Sequence, residues 1–572
     1  MTIRNWIGLA FLLGMASGRL LAQDTNAPVV SITLPAGNVS VLLGETLAVE
    51  AGAADDIGVD RVEFLVDGVL QSSDADAPYE WTLTAGSFSA EMHQVVARAW
   101  DAAGNHKADS VSIQVLDPAG YPMGATPVAG GVFFRVWAPL ASAVALEGDF
   151  TATPLAMTAE STGGRWSLLV AGAQVGDAYQ YRITGYYGGT LEKMDPCARH
   201  VEHSAGWTYV YDSNAYVWGD ADFEVPPLDR WVIYEMHVGT FAGRNDGVAN
   251  SPATFADAVA KIPHLAELGI NVVEVLPIGE FPGERSWGYN PSLPWAPEST
   301  YGGPDAFKAF VDACHQAGLG VVLDVVHNHY GPFDLDMWQF DGWYNAASPP
   351  EWQGGIYFYN DYRADTPWGD TRPDYGRPEV RQHIIDNARF WLAECHLDGL
   401  RWDSTVNIRQ VNGTDIPDGW LLLQNMNDTV HYVRPQTVTI AEDLQNWDQL
   451  TAPTASGGAA FDSQWHATFV HNLRAVLTAV SDGDRNMDLV VAAITPAYGG
   501  QSTHQVIYTE SHDEDANGHQ RMPSEIDSGD PDSYWARKRS TLGAGVVFTA
   551  SGIPMLFMGQ EFHMDGYWAD TD

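Results

Sequence analysis

Basic residues are scarce in this chain of 572 amino acids. Only 29 Lys and Arg stand against 73 Asp and Glu, a formal charge of −44 at pH 7. Nucleic acid and anionic membranes are bound through clustered Lys and Arg, so this balance excludes both as partners and suits a neutral ligand. Charged residues still make up only 18% of the chain and hydrophobic ones 45%, which excludes a disordered polyelectrolyte and predicts large buried cores. Cysteine is nearly absent. Cys197, Cys314 and Cys395 are odd in number and show no CxxC spacing, so they build neither a disulfide framework nor a zinc site, and each reads as a small buried hydrophobe. Long apolar runs are missing too, apart from residues 7–15. That run follows Arg4 and leads into small residues up to Ala22. It is too short to span a bilayer, and it predicts a cleaved secretory signal peptide over residues 1–22. The protein is therefore expected to be secreted or periplasmic, with no membrane partner once the signal is removed.

At this length roughly three or four domains are expected. Residues 24–117 read as all-β. Val62-Glu63-Phe64-Leu65-Val66 partly alternates and meets the turn signal Asp67-Gly68. Residues 93–100 form another strand, followed by the turn Asp101-Ala102-Ala103-Gly104-Asn105. This pattern resembles a bacterial immunoglobulin-like β-sandwich, a spacer or adhesive unit with nothing catalytic in it. Residues 118–216 form a second β-rich unit, with Phe133-Phe134-Arg135-Val136-Trp137-Ala138-Pro139, Gly148-Asp149-Phe150 and Gly176-Asp177-Ala178-Tyr179-Gln180-Tyr181-Arg182-Ile183. It resembles the early-set, carbohydrate-binding-like β-sandwich that precedes the barrel in glycogen-debranching and branching enzymes. Its exposed aromatics would suit sugar rings, although for any single one a place in the sandwich core is the commoner arrangement.

From about residue 220 to 572 the rhythm becomes strand, helix, strand, helix. Strands are expected at 231–235, 271–276, 320–326, 399–403, 437–441, 506–509 and 554–557. Helical spacing covers 255–268, closed by a Gly269 C-cap signal, then 306–317 and 380–395. Strands separated by helices imply a parallel sheet, and about eight of them predict an α/β fold of the (β/α)8 TIM-barrel type. The runner-up, an open doubly wound sheet, calls for a Gly-rich phosphate turn after the first strand, which the sequence lacks. Because the last strand candidate falls so close to Asp572, the ring is expected to be incomplete, with an open edge and poor stability.

Active residues of such barrels sit at the C-terminal ends of the strands. Asp324, Asp403, Glu442 and Asp513 all fall there. In Gly399-Leu400-Arg401-Trp402-Asp403, Arg401 and Asp403 are two positions apart, so a strand points both to one face. A guanidinium favours the charged form of a neighbouring carboxyl, which a carboxylate nucleophile needs, though a purely structural ion pair fits this segment equally well. Acids that converge raise one another's pKa, and a raised pKa lets one of them serve as a general acid. Two carboxyl groups about 5 Å apart across a glycosidic bond make a retaining glycosidase. His327-Asn328-His329 has H-x-H spacing but no third ligand at a recognisable distance, which speaks against zinc.

Asp324-Val325-Val326-His327-Asn328-His329, the 399–403 strand, Ala441-Glu442-Asp443 and Ser511-His512-Asp513-Glu514 match, in order, the four signatures of the α-amylase family of glycoside hydrolases. From about Arg230 onward the chain resembles that family, most of all its 1,4-α-glucan branching enzyme-like members. The resemblance implies a glycosidase or transglycosylase acting on an α-glucan polysaccharide or oligosaccharide. Asp403 would be the nucleophile and Glu442 the general acid/base. Asp513 would hold sugar hydroxyls and stabilise the transition state. Arg401 would be the charge partner of Asp403, and His329 and His512 would hydrogen-bond the sugar. Tyr289, in Trp287-Gly288-Tyr289-Asn290, would be the aromatic platform beneath it. Asp324 would be either a sugar ligand or a structural partner of Arg401. Asn328 matches a calcium ligand of many amylases, whereas branching enzymes usually lack the ion. Calcium is therefore left open, and no other cofactor is implied.

Asp403-Ser404-Thr405, the Ser-His-Asp-Glu string, Gly355-Ile356-Tyr357-Phe358-Tyr359-Asn360 and Arg372-Pro373-Asp374-Tyr375-Gly376 lean toward a branching enzyme, which cleaves an α-1,4 link and transfers the chain to a 6-hydroxyl. The His-Asn-His string and the export signal lean toward a secreted α-1,4-glucan hydrolase. A catalytically dead glucan-binding barrel would have lost the nucleophile or the acid, and both are present.

Overall fold

The computed structural model describes residues 24–243 and 251–571, so the signal peptide expected at 1–22 lies outside the described residues. The chain divides after Gly120 into two compact units.

The first unit is a sandwich. Strands Val29–Leu34, Thr46–Ala54 and Tyr79–Thr84 form one sheet. Val39–Leu42, His106–Leu116, Met92–Asp101, Val59–Val66 and Val69–Asp74 form the other. Strand Met92–Asp101 buries alternate residues, and Val95, Ala97 and Ala99 meet Val62, Phe64 and Ile113 in the core. The Asp67-Gly68 turn expected from sequence joins Val59–Val66 to Val69–Asp74. Both its residues take positive φ (50° and 81°), as a two-residue hairpin requires.

The second unit opens with another sandwich. Its sheets contain Gly124–Val128, Gly131–Trp137 and Arg165–Ala171 on one side and Ala143–Gly148, Ala178–Thr184 and Thr190–Lys193 on the other. Phe134, Tyr179 and Tyr181 are buried between them. These aromatics therefore fill the core rather than meeting solvent, and the Tyr179 and Tyr181 hydroxyls donate to the buried Asp195 at 2.7 and 3.1 Å.

The remainder is a closed barrel of parallel strands: β1 (Ile233–Met236), β2 (Val272–Val275), β3 (Gly320–Val325), β4 (Gly399–Trp402), β5 (Val438–Ala441), β6 (Ser463–Trp465), β7 (Gln505–Ile507) and β8 (Ile553–Phe557). Strands buried on both faces read as continuous apolar runs, which is why most of them show in the sequence. The expected open edge does not occur. β8 pairs with β7 at Val506↔Ile553 and with β1 at Ile233↔Met555, so the ring closes within the chain. β6 is the strand the sequence did not signal, because Ser-Gln-Trp carries no apolar run although all three residues are buried. The helix expected over 255–268 is two helices, Phe255–Val259 and Ile262–Leu268. Pro263, which has no N–H to donate, fits the first turn of the second helix and not the interior of one long helix. Gly269 does close it in the left-handed region, at φ 89°. Cys197, Cys314 and Cys395 are buried and free. No helix among the described residues is long and apolar enough to cross a membrane.

Candidate active site

The site is built on the C-terminal ends of the barrel strands. Alternation along β4 puts Leu400 and Trp402 into the apolar layer. Arg401 points the other way, and its register partner on β3 is Asp324. Arg401 is fully buried. Its Nη1 donates to Asp324 Oδ2 at 2.6 Å and to Asp403 Oδ1 at 3.1 Å, and its Nη2 lies 3.8 Å from Glu442 Oε2. The guanidinium also lies over the Trp465 ring of β6, 4.4 Å from the centroid. One cation thus ties the ends of β3, β4 and β5 together.

The carboxyl groups around it are held differently. Asp403 is gripped on both oxygens, Oδ1 by Arg401 and Oδ2 by Asn328 Nδ2 at 2.6 Å. Glu442 accepts the Ser404 N–H at 2.5 Å. Burial raises the pKa of Glu442. Arg401 opposes that shift, and Asp403 and Asp513 add to it. Burial likewise pushes Asp324 up to about 7 against the pull of Arg401. Desolvation is therefore the leading cause, where the sequence had suggested mutual repulsion. Asp324 does serve as the partner of Arg401, while its Oδ1 is buried and has no hydrogen bond.

His512 is buried. Its Nδ1 lies 2.5 Å from Glu235 Oε1, its backbone N–H donates to Glu235 Oε2 at 3.2 Å, and its Nε2 lies 3.7 Å from Asp513. Burial works against a charge on this ring, but Asp513 and Glu235 outweigh it and hold the imidazolium up to about 9. Asp513 is the open member of the group, with 43% of its side chain exposed. The Tyr289 ring stacks on His512 at 5.0 Å and 19°, and its hydroxyl donates to Asp324 Oδ2 at 2.5 Å. Gly288 makes this placement possible: its φ is +95°, and a Cβ there would lie 2.0 Å from the Pro277 carbonyl oxygen.

His329 donates from Nδ1 to Asn328 Oδ1 at 2.6 Å, and burial lowers its pKa to about 4, so the ring is neutral near pH 7. His327 accepts from Trp402 Nε1 at 3.1 Å and bonds Asn387 Oδ1 through Nε2 at 2.9 Å. Both its nitrogens are engaged, and the Asn328 amide is committed to Asp403 and His329. The 327–329 string therefore does not fit a zinc or calcium site.

All eight residues singled out from sequence come together here: Tyr289, Asp324, His329, Arg401, Asp403, Glu442, His512 and Asp513. Three further residues were missed. Glu235 on β1 clamps His512. Glu274 on β2 is buried, with Oε2 unpartnered, and burial holds its carboxyl well above the usual range. Both were legible as acids inside apolar strands. Trp465 carried no signal, because its strand carried none. Such a constellation, with one carboxyl pinned to a cation and another kept protonated by burial, can perform nucleophilic attack together with general acid–base transfer.

Comparison with known proteins gives three matched regions. A bacterial Ig domain matches residues 28–97, and carbohydrate-binding module 48 (isoamylase N-terminal domain) matches 122–198. The alpha amylase catalytic domain matches 245–352 and 369–572. Similar proteins include the 1,4-alpha-glucan branching enzyme of Kitasatospora aureofaciens, 32% identical over 469 residues and covering 77% of this chain and 58% of that protein. The branching enzyme of Dechloromonas aromatica is 32% identical over 482 residues, covering 78% and 73%. The chain thus spans between 58% and 73% of the length of these two relatives. Among solved structures, a provisionally named alpha amylase from Salmonella typhimurium is 28% identical with a TM-score of 0.61, covering 76% of this chain and 72% of that one. A pullulanase from Paenibacillus barengoltzii, 21% identical with a TM-score of 0.60 over 77% and 74% of the two chains, shares the fold.

Proposed function

This chain belongs to the α-amylase family, and from that premise we propose that it is a retaining α-glucan-active enzyme of the 1,4-α-glucan branching type. The observation that carries the proposal is that Asp403 and Glu442, from two different strands, share the single buried guanidinium of Arg401. A retaining reaction needs two carboxyl groups in opposite protonation states on either side of one bond.

In the proposed mechanism, Asp403 Oδ attacks the anomeric carbon while the Glu442 carboxyl gives its proton to the departing glycosidic oxygen. The products of this half are a covalent glycosyl–Asp403 ester and a free chain end. Glu442, now a carboxylate, takes the proton from an acceptor hydroxyl, whose oxygen displaces Asp403 and restores the starting state. Asp513 and the His512 imidazolium are placed to hold hydroxyls of the reacting sugar, Tyr289 to underlie its ring, and His329 to accept or donate at its edge. Positioned donors and carboxylates of this kind favour an oxocarbenium-like transition state over the bound substrate.

The acceptor decides the outcome. A glucan 6-hydroxyl gives a branch, and water gives hydrolysis. A tenfold preference takes only about 1.4 kcal/mol. The branching names of the two sequence relatives support transfer. A second reading, an α-1,4-glucan hydrolase, is favoured by the likeness to the Salmonella protein. Incubation with amylose followed by proton NMR of the products separates them. New α-1,6 anomeric signals are expected, and free reducing ends without them would assign the hydrolase instead.

A further inference from the structure

We infer that Trp368 is a stacking platform for a glucosyl ring next to the one attacked by Asp403, a residue that sets how tightly longer chains are held. The inference rests on the α-glucan reading above and deepens it.

Trp368 is a large apolar side chain left 51% exposed, but it does not stand free. One indole face lies on His329, with centroids 4.7 Å apart and the planes 20° from parallel. His329 bonds Asn328, and Asn328 bonds Asp403 Oδ2. The outer face of Trp368 is therefore one ring removed from the group that holds the nucleophile. The turn beneath it is firmly built. Thr366 and Gly369 pair across it, and the Thr366 hydroxyl donates to Gly369 O at 2.7 Å and accepts the Trp368 N–H at 3.2 Å. Trp352 Nε1 donates to Asp365 at 2.5 Å, and the buried Arg372 donates from Nε to Arg363 O at 2.6 Å. A rigid aromatic surface in water, backed by a histidine and aimed by a fixed turn, is pre-organised and costs little further ordering when a ligand stacks on it.

The chemistry of the ligand follows from the surroundings. Asp513, the open carboxylate of the site, and Asp403 repel anionic partners such as nucleotides. A neutral pyranose offers a flat C–H face to the indole and hydroxyls to the acids. The stretch 353–368 falls between the two segments matched by the alpha amylase catalytic domain, so the family match assigns no role to this tryptophan. Binding a ring that does not react supplies energy that can be used at the one that does.

The test compares Trp368→Ala and Trp368→Phe in the full chain carrying Asp403→Asn, with maltoheptaose binding measured by calorimetry and the thermal midpoint of each variant recorded. The alanine variant should bind about three- to tenfold more weakly, the size of one aromatic stacking contact, and the phenylalanine variant within about twofold of its parent. Thermal midpoints should move by no more than about 3 °C, because Trp368 is half exposed and its inward contact is the one stacked pair with His329. Equal affinity of the alanine variant and its parent would overturn the inference and leave the proposed function standing. So would phenylalanine binding as weakly as alanine. A parent that binds neither maltoheptaose nor amylose would overturn both.

Discussion

Replacing Arg401 by methionine keeps most of its aliphatic stem and withdraws the guanidinium from over Trp465 and its charge from Asp324, Asp403 and Glu442. Removing one partner of a buried ion pair costs roughly 3–5 kcal/mol, because the charge left behind is uncompensated. The stranded carboxyls can escape part of this by taking up protons. In the intact protein burial already pushes Asp324 up to about 7 and raises Glu442, with Arg401 restraining both. Without Arg401 the folded-state values climb further, while the unfolded ones stay near about 4. A carboxyl whose folded pKa lies above its unfolded pKa costs nothing below the unfolded value. Its cost then grows as pH rises, until the folded pKa is passed. The deficit of Arg401→Met should therefore be small at about pH 5, open above about pH 7, where Asp324 of the intact protein gives up its proton, and approach its full size at about pH 9. A shift of about 2 °C per kcal/mol is reasonable for so large a domain, which gives a thermal midpoint some 6–10 °C lower at the higher pH. Scanning calorimetry of both proteins at one scan rate and two pH values measures this. An equal drop at both pH values would refute the reasoning and make Arg401 a packing residue.

Glu442→Gln removes the proton donor and should lower kcat on amylose by about 10²–10⁴, with a smaller loss on α-maltosyl fluoride, whose leaving group needs little protonation. In the parent the acid form is lost as pH rises through the raised pKa. The alkaline limb of kcat/KM should therefore lie above the ordinary carboxylate range and vanish in the variant, and an unchanged limb would contradict the assignment. Glu235→Gln should bring the His512 imidazolium down from about 9. A histidine whose pKa is raised on folding adds stability that is present below its unfolded pKa, near about 6.5, and is lost as pH rises through the folded value. The stability deficit of this variant should accordingly be largest near about pH 6 and fade toward about pH 9, with the His512 titration followed by NMR.

Which residues gather at the strand ends was largely legible in the chain. Strands enclosed by helices must be apolar on both faces, so β1 to β5, β7 and β8 stood out, and the acids just past their ends marked the site. Asp324, Arg401, Asp403, Glu442 and Asp513 could be named because fixed strand geometry turns spacing into position. Gly269 could be named because a helix end needs a left-handed residue. Two short-range signals were misjudged or silent. Pro263 splits one expected helix into two, and Ser-Gln-Trp gave no hint of β6.

Closure of the ring was not legible, because whether β8 meets β1 depends on pairing between segments more than three hundred residues apart along the chain. The chemistry was not legible either. That Glu442 holds its proton, that Glu235 keeps His512 charged, and that Trp465 lies over Arg401 follow from burial and from neighbours supplied by other strands. The sequence by itself determined the kinds of groups and the strand ends that carry them. Their protonation states and mutual distances were decided only by the tertiary structure, because desolvation and Coulomb energy depend on what surrounds a charge in space and not on what adjoins it in the chain.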